Sequence, residues 1–190
     1  MAVQAESAVE SGLTDEQSAP SGPAIRIGRD QDIVGTLVSV ETLRQLQSKN
    51  AITPGTNLGR GEVPRGFPLR TGVLTSNFGM RPHPILGGYR GHGGVDLAAP
   101  AGSPVFATGP GRVTTAGWSG GYGLLVTIDH GGGKQSRYGH LSAAMVTVGQ
   151  TVPAGAVVGL VGSTGQATGP HLHYEIRIGG TAVDPVKVAR

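Results

Sequence analysis

Apolar and polar residues alternate in short runs, separated by Gly and Pro, along the chain from Thr71 onward. A period of two places successive side chains on opposite faces of a β-strand, and frequent turn residues are typical of an antiparallel sheet. One such run extends from Leu124 to His130, and the three glycines after it predict a turn into a returning strand from Lys134 to His140. Segments with a helical period are missing after Thr71, so the sequence predicts a mainly β fold built on an antiparallel sheet.

The chain before Thr71 has a different composition. Residues 1–24 are acidic, rich in Ser, Ala, Gly and Pro, and without periodicity, which predicts a flexible tail. Residues 25–70 are at first more apolar, and Ser39 can cap a short helix there, whereas Pro and Gly interrupt any pattern later on. We therefore predict three segments: the tail, an N-terminal arm and linker with a short helix, and a domain over residues 71–190.

The composition narrows the functional classes. Leu, Ile, Val and Phe number 45 of 190 residues, about 24%, which is above the roughly 20% below which a chain struggles to bury a core. The net charge of +3 comes from Lys and Arg residues scattered singly, unlike the clustered basic residues of nucleic-acid-binding proteins. Because the chain has no Cys, it can form no disulfide, and any metal must be bound by nitrogen and oxygen ligands.

The sequence shows neither a membrane span nor a secretory leader. No run approaches the roughly 18 apolar residues of a membrane helix. The first 24 residues carry four acidic side chains and no Lys or Arg, which is the opposite of a signal peptide. Either the protein is not exported by that route, or Met1 follows a removed leader.

Two motifs place several histidines and a carboxylate in register. The first is the sequence GHGGVD at residues 91–96, where His92 and Asp96 can project to one side if the segment is extended. The second is the sequence HLHYEIRI at residues 171–178, whose apolar positions define one face of a strand. We expect the histidines of the other face to point into a cleft; the residues on that face are His171, His173, Glu175 and Arg177.

Two imidazoles and one carboxylate form a ligand set suited to Zn²⁺, with the fourth tetrahedral position left for water. The expected ligands are His92, Asp96 and His173. A site with one carboxylate keeps a formal charge of about +1, which helps to lower the pKa of bound water toward roughly 7. His171 and His140, the latter in the sequence YGHL, remain to take a proton and to stabilise an oxyanion.

The other two histidines have a simpler interpretation. His83 and His130 lie in Pro-rich and Gly-rich turns. A single histidine in a β domain is usually a surface or hydrogen-bonded residue, so we leave both out of the site.

Residues 71–186 resemble the lysostaphin-like zinc metallopeptidases, peptidase family M23, which are peptidoglycan endopeptidases. The segments that carry the resemblance, in family order, are SNFGMR (76–81), RGHGGVD (90–96), YGHL (138–141) and GPHLH (169–173). In that family the metal is bound by an HxxxD motif and by the second His of HxH, which implies His92, Asp96 and His173 here. The first His of HxH and the isolated upstream His serve catalysis, which implies His171 and His140.

The resemblance also implies a fold and a function. The fold would be an antiparallel β-sheet floor with a groove bounded by loops, the lysostaphin-like duplicated hybrid motif. The protein would be a zinc-dependent endopeptidase, a monomer in the cell envelope (periplasmic) or secreted, that hydrolyses peptide bonds in peptidoglycan stem peptides or cross-bridges. Tyr122 and Tyr138 are candidates for the groove lining. In some relatives an upstream segment covers the groove, which makes Asn50 or Asn57 a candidate fourth ligand.

Two other functions compete with this one. Some proteins of the same fold have lost the zinc site and activate a cell-wall amidase instead, but all five key positions are filled here, which favours the enzyme. The turn-rich hairpin at residues 148–155 resembles lipoyl- or biotinyl-type carrier domains, which need a Lys at a hairpin tip. The setting of Lys134, GGGKQ, does not match that requirement.

Overall fold

Antiparallel strands surround one apolar core in the part of the chain that the structure describes. A computed structural model describes residues 26–27, 61–82 and 89–188 of the chain. The strands are β1 (Arg26–Ile27), β2 (Gly72–Ser76), β3 (Gly79–Pro82), β4 (Tyr89–His92), β5 (Val95–Ala98), β6 (Pro104–Phe106), β7 (Gly111–Trp118), β8 (Leu124–Gly131), β9 (Lys134–Ala144), β10 (Thr151–Val152), β11 (Val157–Val161), β12 (His171–Ile178) and β13 (Thr181–Val183). A 3₁₀ turn at Gly120–Tyr122 and a one-turn helix, α1 (Pro185–Val188), complete the described elements. The predicted mainly β fold is confirmed.

Most strands belong to one sheet, with the order β1-β2-β5-β12-β9-β8-β7-β10. Strand β11 joins β6 to β9, β13 pairs with β12, and β3 and β4 form a separate hairpin. All of these pairings are antiparallel. The central position of β12, between β5 and β9, brings three distant parts of the chain side by side. In the described part of the chain, no helix has the length and apolar character needed to span a membrane.

The hairpin of β8 and β9 forms where the alternation predicted it. The predicted strands, Leu124 to His130 and Lys134 to His140, correspond to β8 and β9, and β9 continues to Ala144. The turn between them contains Gly131, Gly132 and Gly133, all with positive φ. Glycine adopts this conformation without the steric cost that a Cβ atom imposes, so the glycine run sets the register of the hairpin.

The apolar face of β12 lies on the core, as its alternation predicted. Leu172, Tyr174 and Ile176 are fully buried. They pack against apolar residues of the neighbouring strands, including Val95, Leu97, Val126, Ile128 and Leu141. Each fully buried aliphatic side chain stabilises the fold by roughly 1.5–3 kcal/mol, so this face fixes which side chains of β12 point the other way.

Tyr138 does not line a groove, contrary to the sequence-based expectation. Its side chain is fully buried, because position 138 lies on the core face of β9. Its hydroxyl accepts a hydrogen bond from the backbone N–H of Thr108 at 3.0 Å and one from the Ser136 hydroxyl at 2.9 Å. The Tyr174 hydroxyl donates to the Thr108 hydroxyl at 2.9 Å. The core therefore contains a hydrogen-bonded polar chain beneath the sheet.

His130 extends this polar chain and is a hydrogen-bonded core residue, in agreement with its simpler interpretation. It is 1% exposed, and its Nδ1–H donates to the carbonyl of Pro110 at 2.8 Å. Its Nε2 lies 2.8 Å from the Ser136 hydroxyl. His83 lies outside the described residues.

Residues 61–70, the longer described part of the predicted arm, lie along the sheet surface, and Arg26–Ile27 of the arm form β1, which pairs with β2. The backbone N–H of Arg65 donates to the carbonyl of Thr108 at 3.1 Å, and the backbone N–H of Phe106 donates to the carbonyl of Pro68 at 2.8 Å. The side chain of Leu69 is buried. The predicted short helix at Ser39, and the residues Asn50 and Asn57, lie outside the described residues. The division of the chain into three segments stays a prediction.

We expect Gly94→Ala to destabilise the fold. A Cβ atom at this position would collide with the backbone carbonyl of Tyr174 and lie 2.9 Å from Cγ of Glu175. Overpacking against backbone costs about 3 kcal/mol of unfolding free energy, measurable by urea denaturation. Gly117→Ala in β7 is the matched control, because nothing lies within 4 Å of its Cβ position, and it should change the free energy by no more than about 0.5 kcal/mol. Equal effects of the two substitutions would contradict the packing argument.

His130 should make the stability depend on pH. Burial lowers the pKa of its imidazole, and the carbonyl of Pro110 and the charge of Asp129 offset this only in part. Below about pH 6.5 the unfolded chain takes up a proton that the folded protein does not, so the free energy of unfolding falls as the pH falls. The substitution His130→Gln removes the titrating group. The decrease in the free energy of unfolding between pH 7.5 and pH 5 should therefore be smaller in this variant than in the wild-type protein. An equal decrease in both proteins would show that His130 does not cause the pH dependence.

Candidate metal centre

A polar groove opens on the face of the sheet opposite the core. It has a volume of about 660 Å³, and small residues such as Gly91, Gly93, Gly121 and Gly169 form part of its lining. The ionisable side chains that line it are His92, Asp96, His140, His171, His173 and Glu175. All five residues that the sequence predicted for the site therefore lie in one groove.

Strand pairing brings Asp96 and His173 together. Asp96 of β5 and His173 of β12 are direct partners in the antiparallel ladder, and both side chains point away from the core. His173 Nδ1 lies 2.9 Å from Asp96 Oδ1. On its other side His173 is paired with Gly139 of β9, where a side chain would lie 3.5 Å from Cβ of His173. A Cβ atom here would also lie 3.3 Å from the ring of Tyr122, so the glycine lets Tyr122 and His173 pack closely against β9.

His92 reaches the same point by a route that differs from the predicted one. The segment is not one extended strand, because β4 ends at His92 and β5 begins at Val95. The break at Gly93 and Gly94 is possible because the Gly94 backbone packs directly on that of β12. His92 Nε2 lies 3.1 Å from Asp96 Oδ1 and 3.0 Å from Nδ1 of His173.

A β-bulge aims His140 at the groove. Between the pairs Leu124↔Leu141 and Val126↔Tyr138 the register shifts, so β9 contains one residue more than β8. His140 itself has φ of 60°, a left-handed conformation that is unusual for a non-glycine residue and is found at functional sites. Its Nδ1–H donates to the carbonyl of Thr164 at 2.8 Å.

His171 lies at the start of β12, beside His140. Its Nδ1–H donates to the carbonyl of Gly169 at 2.8 Å, and the rings of His140 and His171 are 4.7 Å apart between centroids. Its Nε2 lies 3.9 Å from Asp96 Oδ1. In both His140 and His171, Nδ1 is bonded to a backbone carbonyl, and Nε2 lies on the opposite side of the ring from that carbonyl.

The hydrogen bonds fix which nitrogens carry lone pairs. His92 Nδ1 lies 2.8 Å from the carbonyl of Asn77, which can only accept, so this nitrogen carries the proton and Nε2 has the lone pair. His173 Nε2 lies 3.0 Å from Glu175 Oε1, so this nitrogen can keep the proton while the lone pair of Nδ1, 2.9 Å from Asp96 Oδ1, is directed at a cation. These two lone pairs and Asp96 Oδ1 then face one another within 3.1 Å. A cation among them would satisfy all three acceptors at once.

The donor set fits Zn²⁺. The three ligand atoms lie within 4.8 Å of one another and can hold a metal ion. Tetrahedral ligands at roughly 2.0–2.2 Å from zinc lie about 3.3 Å from one another, within a few tenths of an ångström of the observed separations. Two imidazoles and one carboxylate leave a fourth position open, as in catalytic zinc sites.

The charges of the site are coupled. Burial alone would raise the pKa of Asp96, but its contacts with the imidazoles of His173 and His92 outweigh this effect and lower the pKa. Burial disfavours the imidazolium form of His173, yet the hydrogen bonds to Asp96 and Glu175 raise its pKa. Burial lowers the pKa of His140 to about 4, so that this imidazole is neutral near pH 7.

Sequence reasoning missed several residues that hold the site. It placed Glu175 on the groove face but gave it no role, although its position two residues after His173 was a usable signal. Tyr122 lines the groove as expected, and its hydroxyl donates to Glu175 Oε1 at 2.7 Å. Asn77 and Thr164 contribute backbone carbonyls. Every residue has a backbone carbonyl, so the residue type gives no signal for this role.

The chain is similar to peptidases and to a murein hydrolase activator. A family model described as Peptidase family M23 matches residues 90–185. The DD-carboxypeptidase/endopeptidase Mpg of Neisseria meningitidis serogroup B is 52% identical over 122 residues, which cover 64% of this chain and 28% of that protein. The murein hydrolase activator EnvC of Escherichia coli K12 is 37% identical over 150 residues, covering 73% of this chain and 36% of EnvC. The chain thus spans less than half the length of these relatives.

Two solved structures share the fold. A zinc-containing peptidase from Vibrio cholerae matches with a TM-score of 0.61 and 35% identity, covering 65% of this chain and 39% of that chain. The catalytic domain of lysostaphin from Staphylococcus simulans matches with a TM-score of 0.53 and 38% identity, covering 58% of this chain and 86% of the domain.

Zinc should stabilise the protein only when its candidate ligands are intact. A ligand that binds the folded state at about 100 times its dissociation constant adds about 2.7 kcal/mol of stability, so Zn²⁺ added to chelator-treated protein should raise the melting temperature. Asp96→Asn keeps the shape of the side chain but removes the charge, and it should abolish most of this increase. His130→Gln should retain the full increase. An equal increase in Asp96→Asn would show that zinc binds elsewhere.

Proposed function

The chain belongs to peptidase family M23, and we propose that it is a zinc-dependent metalloendopeptidase that hydrolyses peptide bonds in peptidoglycan stem peptides or cross-bridges. The observation that carries this proposal is the convergence of His92, Asp96 and His173 on one point of an open groove, with two further histidines beside them. The lysostaphin-like fold expected from the sequence is confirmed by the solved structure of lysostaphin.

We assign His92 Nε2, Asp96 Oδ1 and His173 Nδ1 as the ligands of the zinc ion. Zinc is the metal named for the related Vibrio peptidase, and the nitrogen and oxygen donors suit it. When bound, zinc polarises a carbonyl group and lowers the pKa of water. The protein supplies fixed ligand tautomers through the Asn77 carbonyl and the Glu175 carboxylate.

We assign the catalytic roles to His140 and His171. His140 has its Nδ1 proton committed to the Thr164 carbonyl and is neutral near pH 7, so its Nε2 can accept a proton. His171 has Nδ1 committed to the Gly169 carbonyl, so its Nε2 is the nitrogen that can stabilise a developing oxyanion and return a proton to the leaving amine. The short distance between the two rings lets both act on one scissile bond.

The groove suits an extended peptide with small side chains, because four glycines are part of its lining and leave room there. The name of the Neisseria relative, a DD-carboxypeptidase/endopeptidase, supports a bond between D-amino acids in the peptidoglycan peptide. Such a substrate lies outside the cytoplasm, so we propose that the protein acts in the periplasm or after secretion, as a monomer.

A second candidate is an activator of a cell-wall amidase, which the similarity to EnvC favours. An activator of this kind needs no metal ligands or catalytic histidines. The complete set of five residues in this groove supports the enzyme instead.

His140→Ala should separate the two functions. Loss of a general base or acid reduces hydrolysis by about 10²- to 10⁴-fold, whereas the three metal ligands are unchanged. We therefore expect one zinc per chain but little release of peptide fragments from purified peptidoglycan, measured by mass spectrometry with and without chelator. His130→Gln is the control and should release fragments at the wild-type rate. Metal-free protein or His140→Ala that still stimulates an amidase would instead establish the activator.

A further inference from the structure

The four histidines of the groove differ in the type of group that accepts their ring N–H hydrogen bond. One ring nitrogen of each donates a hydrogen bond that fixes the position of its other nitrogen. For three of them the acceptor is a backbone carbonyl, as described for His92, His140 and His171. His173 alone among these four donates to a side chain, the carboxylate of Glu175. Glu175 is therefore the one orienting group that a substitution can remove.

Glu175 is held more firmly than an ordinary surface carboxylate. Its side chain is 2% exposed, and three donors share its two oxygens. The Tyr122 hydroxyl donates to Oε1 at 2.7 Å, and Arg177 Nε donates to Oε2 at 2.7 Å. A Cβ atom on Gly93 would lie only 3.1 Å from Oε1. The carboxylate therefore has one position, with Oε1 directed at His173.

We propose that Glu175 is a positioning residue for the zinc ion: it holds the proton of His173 on Nε2 and so keeps the Nδ1 lone pair directed at the metal. This inference rests on the proposed function, since it requires that zinc binds at His173. A carboxylate that accepts from a ligating imidazole also makes that imidazole a stronger donor. Tyr122 supports Glu175 and also packs on the ring of His173, with centroids 5.6 Å apart, so one wall of the groove is fixed to the metal ligand.

A purely structural role for Glu175, as the partner of Arg177, would predict something different. In that case removing either member of the ion pair would lower the stability of the fold by similar amounts, and zinc affinity would follow stability. In a positioning role, zinc affinity depends on Glu175 far more than on Arg177, because only Glu175 contacts His173.

The test measures zinc dissociation constants of the full chain by competition with a chromophoric chelator, with the thermal unfolding of zinc-free protein recorded in parallel. Glu175→Gln should weaken zinc binding by about 10- to 100-fold, since an amide offers one acceptor oxygen to three donors. Glu175→Asp keeps the charge but shortens the reach, and it should weaken zinc binding to a similar degree. Arg177→Gln, the matched control, should change the affinity by less than about threefold.

The protonation of the His173 ring nitrogens can be measured by NMR, and this measurement does not depend on the stability of the fold. In zinc-loaded wild-type protein, long-range ¹H–¹⁵N spectra should show a protonated Nε2 and a metal-bound Nδ1, and Glu175→Gln should lose the slowly exchanging Nε2 proton. Tight zinc binding by both Glu175 variants, at the wild-type affinity, would overturn the inference and leave the proposed function intact. Wild-type protein that binds no zinc would overturn both.

Discussion

The pairing of β12 with β5 on one side and β9 on the other is the constraint on which the site depends. It places Asp96, His173 and Gly139 in one row across the sheet, so that a carboxylate, an imidazole and a residue without a side chain are adjacent before any loop is considered. The core face of β12 fixes which side chains point into the groove. Because the strand period is two, a shift by one residue would bury the histidines and expose the apolar face.

Backbone carbonyls do much of the orienting work around this row. The acceptors for His92, His140 and His171 belong to residues whose own side chains are irrelevant to the contact. The loops that supply them are tied to the sheet. Thr164, for example, donates from its hydroxyl to Leu141 and accepts from the N–H of Leu124. The groove is thus preorganised by main-chain geometry as much as by side-chain chemistry.

The sequence predicted the fold class, the β8–β9 hairpin and the five residues of the groove, because strand periodicity and the spacing of His and Asp are local signals. It did not predict how His92 approaches, since the break at Gly93 and Gly94 depends on contact with a strand 80 residues away. Tyr138 was placed in the groove because an aromatic residue next to a glycine is ambiguous until the core face of its strand is known. The bulge at His140 has no sequence pattern of its own.

The hydrogen-bonded chain of His130, Ser136, Tyr138, Thr108 and Tyr174 lies beneath the strands that carry the candidate ligands. Polar groups buried in a core are costly unless every partner is in place. A different strand register could still bury apolar side chains, but it would leave several of these hydroxyls without hydrogen-bond partners. Such misaligned states are therefore less stable than the native one. The hydrogen bonds of the core and the candidate metal ligands depend on the same strand register. A chain that forms the buried polar chain correctly therefore also aligns the ligands on the opposite face of the sheet.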